Sequence, residues 1–377
     1  MAFGTAAVIV TYALLLGLGR SMESNVTSLG MGEVQVYAPG FLDTRGLERA
    51  MPEPDGVVAR AREKGLDAAA RGLGMALVSR GQSATGTHVW GVDPVAEARV
   101  SDLPRHLAGG DFLISGEIVL GSGVARSLGV GAGDEVSLQI EDALGFPRIS
   151  RVRVAGVLAS IGDAFDQRTV LVHDERFESL FGLPERHEVV VTSHGGLPLA
   201  AVHRAMREAA PDMEIHTWRA LSPTASAFVD AWDGVIWIFV GVFFLVAGLG
   251  VLNTNLMAVY ERIPEFGLAR ALGATPRQVL GGVAVEAGLI AAISTLLGGG
   301  VGLAIALVLQ AHGIDLTAAT DELSFSGMSM EPAWQAHVAP RSVWQPIFMM
   351  WLVSFVATLQ PALRAVRLDP IAAMHRT

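Results

Sequence analysis

The chain has 377 residues, 51% of them hydrophobic and only 17% charged, with a mean hydropathy of +0.44. Ordinary globular domains carry about 25% charged residues, so a simple soluble enzyme is excluded and the apolar excess is expected to lie in membrane spans. The formal net charge of −10 excludes a nucleic-acid binder, which needs a basic face to neutralise phosphates, and the absence of cysteine excludes disulfides, thiolate metal sites and cysteine nucleophiles.

The first long apolar stretch runs from Ala2 to Gly19, broken only by Thr5, Thr11 and Tyr12. A span needs roughly 20 apolar residues, and this stretch meets that length. A secretory signal peptide needs a basic lead-in and a small-x-small cleavage site. No Lys or Arg precedes the stretch and Arg20 follows it directly, so an uncleaved span is expected, and the missing basic lead-in points to a start upstream of Met1.

Residues 20–233 follow, with a net charge of −9 against −1 for the rest of the chain. Short strand-like runs recur at Glu33–Tyr37, Glu117–Leu120, Glu135–Ile140, Arg151–Leu158, Thr169–Val172 and Glu188–Thr192, with helix-like pieces at Val57–Leu73 and Ala200–Ala210. Mixed short strands and helices of this kind predict a folded α+β domain.

Three more apolar stretches come after it: Gly234 to Met257, Val279 to Leu309 with one acid at Glu286, and Val343 to Leu359, the weakest because of Gln345 and Pro346. The expected fold is therefore a membrane protein with four transmembrane helices in a 1+3 arrangement and the α+β domain inserted after the first. Lys and Arg in short loops set orientation. Arg262, Arg270 and Arg277 lie between the second and third spans, and Arg364, Arg367 and Arg376 follow the fourth. The 310–342 loop holds only Arg341 against Asp315, Asp321, Glu322 and Glu331. Residues 258–278 and 361–377 are thus placed in the cytoplasm, and the large domain and the 310–342 loop outside.

Catalytic motifs are absent from the sequence: there is no GxxxxGK[ST], no HExxH and no GxSxG, and the ten histidines show no metal-ligand spacing. His203 and His173 read as surface residues. No bound cofactor or metal is expected. Glu286, about seven residues into its span, is costly there unless paired, protonated or near the headgroups; a proton relay would need acidic partners that the other spans lack.

Gly234, Gly241 and Gly248 recur every seven residues, with Asn255 next in the series, and Gly298 and Gly302 form a GxxxG followed by Ala306. Small residues on one helical face let another helix approach closely, and Asn255 can hydrogen-bond across such a contact. Packing among the spans of one chain and a dimer seam are both open to this pattern; four helices are few for a conduit, which favours the dimer.

The most informative segment is Ala258 to Pro276, AVYERIPEFGLARALGATP. It reads as a short amphipathic helix, with Ile263, Phe266, Leu268 and Leu272 apolar and Glu261, Arg262, Glu265 and Arg270 polar. Gly273 is a stop, Thr275 a cap, and Pro276 opens the next helix. A rigid helix held between two spans can dock into a groove on a cytoplasmic partner and convey its movement to the membrane.

With Gly267 and Gly273, this segment resembles the "ER..E.G.lrAlGa" stretch of the FtsX-like/MacB-type ABC permease family, which includes the lipoprotein-releasing LolC/LolE branch. Gly32–Gly40 (GEVQVYAPG), Glu117–Val136 and the tail Pro361-Ala362 with Arg367–Ile371 resemble further family motifs in the same order. Two features depart from the pattern: Pro264 inside the coupling segment, and the missing basic stretch before the first span. The resemblance implies a permease subunit of the mechanotransmission type, not itself an enzyme, with ATP and Mg2+ used by a separate cytoplasmic ABC ATPase that docks on Glu261 to Gly273. It also implies a second permease copy or paralogue, membrane lipids as surroundings, and a lipoprotein substrate or periplasmic adaptor at a bacterial inner membrane. Peptide or drug efflux, control of a cell-wall hydrolase, and a non-transporting sensor or scaffold are the alternatives.

Overall fold

The computed structural model describes residues 1–113, 116–182, 186–315, 324–325, 328–329 and 333–366. The side chains of Asn255 and of residues from 359 onward lie outside this description, as do the tail motif from Arg367 and the loop acids Asp321, Glu322 and Glu331.

In chain order, helix α1 (Ala2–Val26) continues through a π-turn, Thr27–Met31, to strand β1 (Val34–Tyr37). Then come α2 (Pro54–Glu63), β2 (Asp67–Arg80), β3 (Ser83–Val92), α3 (Pro94–Val100), β4 (Leu107–Gly110), β5 (Ile118–Leu120) and α4 (Ser122–Leu128). They are followed by β6 (Glu135–Glu141), β7 (Pro147–Leu158), β8 (Thr169–His173), α5 (Asp174–Phe181), β9 (Glu188–Thr192), α6 (Leu199–Ala209) and β10 (Glu214–Thr217). After a single short turn of helix at Trp218–Leu221 come the longer helices α7 (Pro223–Glu261), α8 (Ile263–Ala271), α9 (Pro276–His312) and α10 (Pro340–Val366). The chain divides into two units, one of Met1–Arg20, Asp230–Ala319 and Pro332–Thr377, the other of Ser21–Val229 and Thr320–Glu331.

The second unit is built on a ten-stranded sheet ordered β10-β1-β9-β2-β3-β8-β5-β7-β4, with β6 bridging β2 and β7. Among the described residues, β3–β8 and β5–β7 are the parallel pairs of this sheet. The long strand β2 pairs with β9 through its first half (Ala69↔Val190) and with β6 through its second (Val78↔Leu138). All six strands read from the sequence are present. The helix expected over Val57–Leu73 is corrected: helix α2 ends at Glu63, Gly65 takes φ +77°, and β2 begins at Asp67. Ala68-Ala69-Ala70 favours helix intrinsically, but propensity is a weak prior beside the ladder these residues form with β9.

The two largest apolar clusters of this unit lie between sheet and helices. Val34, Val36, Val189 and Val191 meet Val57, Ala61, Val202 and Met206 from α2 and α6. Ile118, Leu138, Val154 and Val170 meet Phe177 and Phe181 from α5. The two rings stack at 4.4 Å and lie on Gly72, Gly74 and Gly91. A Cβ on Gly91 would stand 2.5 Å from Phe177 Cβ, so only glycine admits the ring there.

A buried ionic cluster closes the layer beside β1. Arg71 on β2 is fully buried and grips Glu97 of α3 with two hydrogen bonds, Nε to Oε2 at 2.9 Å and Nη2 to Oε1 at 2.6 Å. It also donates to the Gly30 carbonyl of the π-turn, lies 3.7 Å from Glu188 Oε2, and stacks over Trp90. Tyr37 donates to Gln35 and is within hydrogen-bond reach of Glu188. Burial pushes the Glu188 carboxyl above its ordinary value, outweighing Arg71 and Tyr37.

In the first unit, the helices exceed the lengths read from the sequence. Ala2–Met31, Pro223–Glu261 and Pro276–His312 are long and apolar enough, by length and composition, to cross a membrane. The α10 helix continues through Pro346 over 27 residues. Helix α1 is the most enclosed: Val8, Tyr12, Leu15 and Leu16 pack on Ile236, Val240 and Phe244 of α7 and Met350 of α10. Tyr12 donates to Gln345 at 2.7 Å, and Trp232 Nε1 donates to the Leu15 carbonyl at 3.0 Å. Outward, α7 and α9 expose Ile238, Leu245, Leu249, Ile293, Leu296 and Val301. An apolar surface of that extent on helices satisfying their own backbone suits lipid rather than water.

Candidate coupling site

Glu261 is the last residue of α7. Arg262 then leaves helical geometry (φ −100°, ψ 4°), and α8 starts at Ile263 with Pro264 in its first turn. Proline is tolerated there because the first-turn N–H groups have no intrahelical acceptor. Pro264 therefore opens α8 and does not interrupt it. At the other end Gly273 takes φ +101°, a backbone that other residues rarely adopt. Thr275 then caps α9 in a reciprocal box with Gln278, and Pro276 fills the first helical position.

Helix α8 turns Ile263 and Gly267 inward, four residues apart on one face. Phe266 and Arg270 are half-buried, and Arg270 has an interacting partner. Glu261 and Glu265 are exposed. The sequence treats Ile263, Phe266, Leu268 and Leu272 as one apolar set, but the structure divides them. Ile263 anchors the helix, whereas Leu268 (56% exposed) and Leu272 (81% exposed) point into open space.

Arg262 ties the corner together. It donates from Nε to Glu265 Oε2 at 3.1 Å and from Nη1 to Glu286 Oε2 at 2.6 Å, and its guanidinium lies 5.7 Å from the Phe266 ring centre. The Glu286 bond first, then Glu265, raises the Arg262 pKa above its ordinary value. Helix α9 begins at Pro276, earlier than the sequence reading, and Glu286 is an ion-pair partner of the α7–α8 corner. That pairing was not legible in the sequence: the two residues lie 24 positions apart and no local spacing joins them.

The glycines divide as well. Gly298 and Gly302 lie against Ala2, Ala6 and Ile9 of α1; a Cβ on Gly302 would fall 2.8 Å from Ala6 Cα. That close approach is made within the chain. A Cβ on Gly248 would fall 3.0 Å from Val353 of α10, whereas Gly234 and Gly241 have nothing within 4 Å among the described residues.

The MacB-like periplasmic core domain family matches residues 1–209, and the FtsX-like permease C-terminal family matches residues 237–370. The chain belongs to the FtsX-like/MacB-type ABC permease family. It is 22% identical over 402 residues to the lipoprotein-releasing system transmembrane protein LolC of Neisseria meningitidis, covering 100% of this chain and 92% of that one. It is 27% identical over 236 residues to an uncharacterized ABC transporter permease of Methanocaldococcus jannaschii, covering 60% of this chain and 55% of the relative. With the macrolide export ATP-binding/permease protein MacB of Wolinella succinogenes it shares 23% identity over 407 residues, covering 98% of this chain and 56% of the relative. The chain thus spans little more than half the length of the second and third of these relatives. In this chain the MacB-like periplasmic core match precedes the FtsX-like match.

Proposed function

We propose that this permease couples ATP hydrolysis by a separate cytoplasmic ABC ATPase to movement of its large α+β domain, acting in a bacterial inner membrane to release or transport lipoproteins. The chain itself is the non-catalytic membrane subunit, works with a second permease copy or paralogue, and leaves ATP and Mg2+ to its partner. Helix α8 is the coupling element, on the cytoplasmic side, and the large domain is periplasmic.

The observation that carries this reading is the geometry of α8. Helix α8, held at its start by the Arg262–Glu286 bond and followed by the Thr275–Gln278 box that caps α9, leaves Leu268 and Leu272 uncovered beside Glu265. Exposed leucines four residues apart, rimmed by charge, are the form of an apolar anchor for a groove on a protein partner. Because α8 joins α7 and α9 through only a few residues, a displacement of α8 acts on both long helices. The test is co-purification of the detergent-solubilised chain with its ATPase: charge reversal at Glu265 or Arg270 abolishes stimulated hydrolysis. Recruitment and activity that survive disruption of residues 261–273 contradict the assignment.

LolC, matched over nearly its whole length, favours the lipoprotein reading. The macrolide export relative, matched over 98% of this chain, favours a second one, efflux of a peptide or drug. Release of acylated protein from spheroplasts distinguishes the two.

A further inference from the structure

Helix α10 has two unlike sides. One carries Gln345, Met350 and Val353 against α1 and α7. The other carries Trp344, Phe348, Trp351 and Phe355, at the i, i+4, i+7, i+11 spacing of a single stripe, and with Ile347 and Leu352 they line an open apolar groove of about 550 Å3. The groove has built walls: Trp351 Nε1 donates to Thr295 Oγ1 of α9 at 3.2 Å, which fixes that ring. From Trp344 to Phe355 the stripe runs roughly 16 Å along the helix, close to the roughly 15 Å of one leaflet of hydrocarbon.

The head of the stripe is cationic. Arg341, three residues before Trp344 and so on the same face, is exposed and has no hydrogen-bond or ion-pair partner among the described residues. Nearby, Arg20 at the end of the first unit's α1 segment donates to His337 Nε2 at 3.0 Å. His337 is held below its ordinary pKa by burial, then by Arg20 and Arg341, so it accepts this bond as a neutral ring. No carboxylate among the described residues pairs with Arg20 or Arg341.

We propose that this stripe is a binding site for an anionic phospholipid, with its phosphodiester headgroup at Arg341 and Arg20 and one acyl chain laid along Trp344 to Phe355. The site rests on the reading of α10 as a membrane span and is independent of the coupling role of α8. Two features decide the occupant. The apolar length matches one leaflet, and Arg341 stands at the end of the stripe where a lipid carries its phosphate. A soluble anion has no use for the aromatic floor, and a neutral lipid none for the unpaired arginine.

The test places the full chain in nanodiscs of phosphatidylcholine containing a fixed fraction of phosphatidylglycerol, with bromine on the acyl chains of one lipid at a time. The difference in fluorescence between the wild type and Trp344→Phe isolates Trp344. The expected result is stronger quenching by brominated phosphatidylglycerol than by an equal fraction of brominated phosphatidylcholine, an enrichment of roughly fivefold for one basic side chain at the surface. The preference falls to parity in Arg341→Gln with Arg20→Gln and persists in Arg341→Lys, which also controls for folding. Equal quenching in the wild type, or a preference that survives loss of both arginines, overturns the proposal. Shielding of Trp344 from both lipids while Trp237 on α7 is quenched also overturns it, because protein then covers the groove. Absence of quenching at every tryptophan of the membrane helices rejects the membrane reading itself and is distinguishable from these outcomes.

Discussion

Arg262 and Glu286, 24 positions apart, meet at 2.6 Å and fasten the α7–α8 corner to α9. Both side chains are about half exposed, so the pair contributes only about 0–1 kcal/mol to stability. Its larger effect is geometric. Glu286→Gln is expected to leave the melting temperature of the solubilised chain nearly unchanged while stimulated ATP hydrolysis by the partner falls severalfold. The swapped pair Arg262→Glu with Glu286→Arg recovers part of that loss. A melting temperature that drops as far as the activity would make the pair a stability element instead.

Leu268 and Leu272 give the complementary prediction. Both are exposed, so Leu268→Ser and Leu272→Ser should not unfold the chain. Each should weaken ATPase recruitment by about 1–2 kcal/mol, or roughly tenfold in Kd, as truncation of an apolar anchor does. Ile263→Ser, on the inward face of the same helix, is expected to lower stability as well. Pull-down with melting curves separates the two effects.

The glycine contacts predict an asymmetry within one motif class. Gly302→Val forces Cβ into the α1 backbone at Ala6 and should cost about 1–3 kcal/mol, the usual penalty of overpacking. Gly241→Val meets nothing within 4 Å in the chain and should be neutral for the monomer. If α7 is the seam to a second copy, crosslinking between copies falls in Gly241→Val alone.

The Arg71 cluster ties stability to pH with a definite sign. Glu188 holds its proton more tightly in the folded chain than a free glutamate does. Its contribution is complete below the ordinary glutamate value and is lost as pH rises through the raised one. Glu188→Gln, which stays neutral, is therefore expected to melt above the wild type at neutral pH, with the gap closing as pH falls towards about 4. Arg71→Met, in contrast, strands Glu97 without its partner and should destabilise by about 3–5 kcal/mol.

These positions also mark how much of the molecule is legible from sequence. Strands such as Ile118–Leu120 and Thr169–His173 are readable because apolar runs with turn signals on both sides have few other solutions. The Asp67–Arg80 and Ser83–Val92 hairpin is not. Its alanines favour helix, and its glycines at 72, 74 and 91 make sense only once Phe177 and Phe181 lie upon them. At the coupling site, the stop at Gly273 and the cap at Thr275 are local signals and were readable, whereas Pro264, a departure in the sequence, falls in the first turn of α8. The inward turn of Ile263, the outward turn of Leu268 and the Arg262–Glu286 bond depend on α9, which no local pattern places.

The central claim is that α8 and the large α+β domain lie on opposite sides of the membrane, and the lack of cysteine in the chain makes it directly testable. Single substitutions Leu272→Cys and Leu144→Cys put a thiol on two of the most exposed apolar positions, one beside α8 and one on the β6–β7 turn. With a membrane-impermeant maleimide on intact spheroplasts, the account predicts labelling of Leu144→Cys at once and of Leu272→Cys only after permeabilisation. Labelling of both positions from the same side would contradict it.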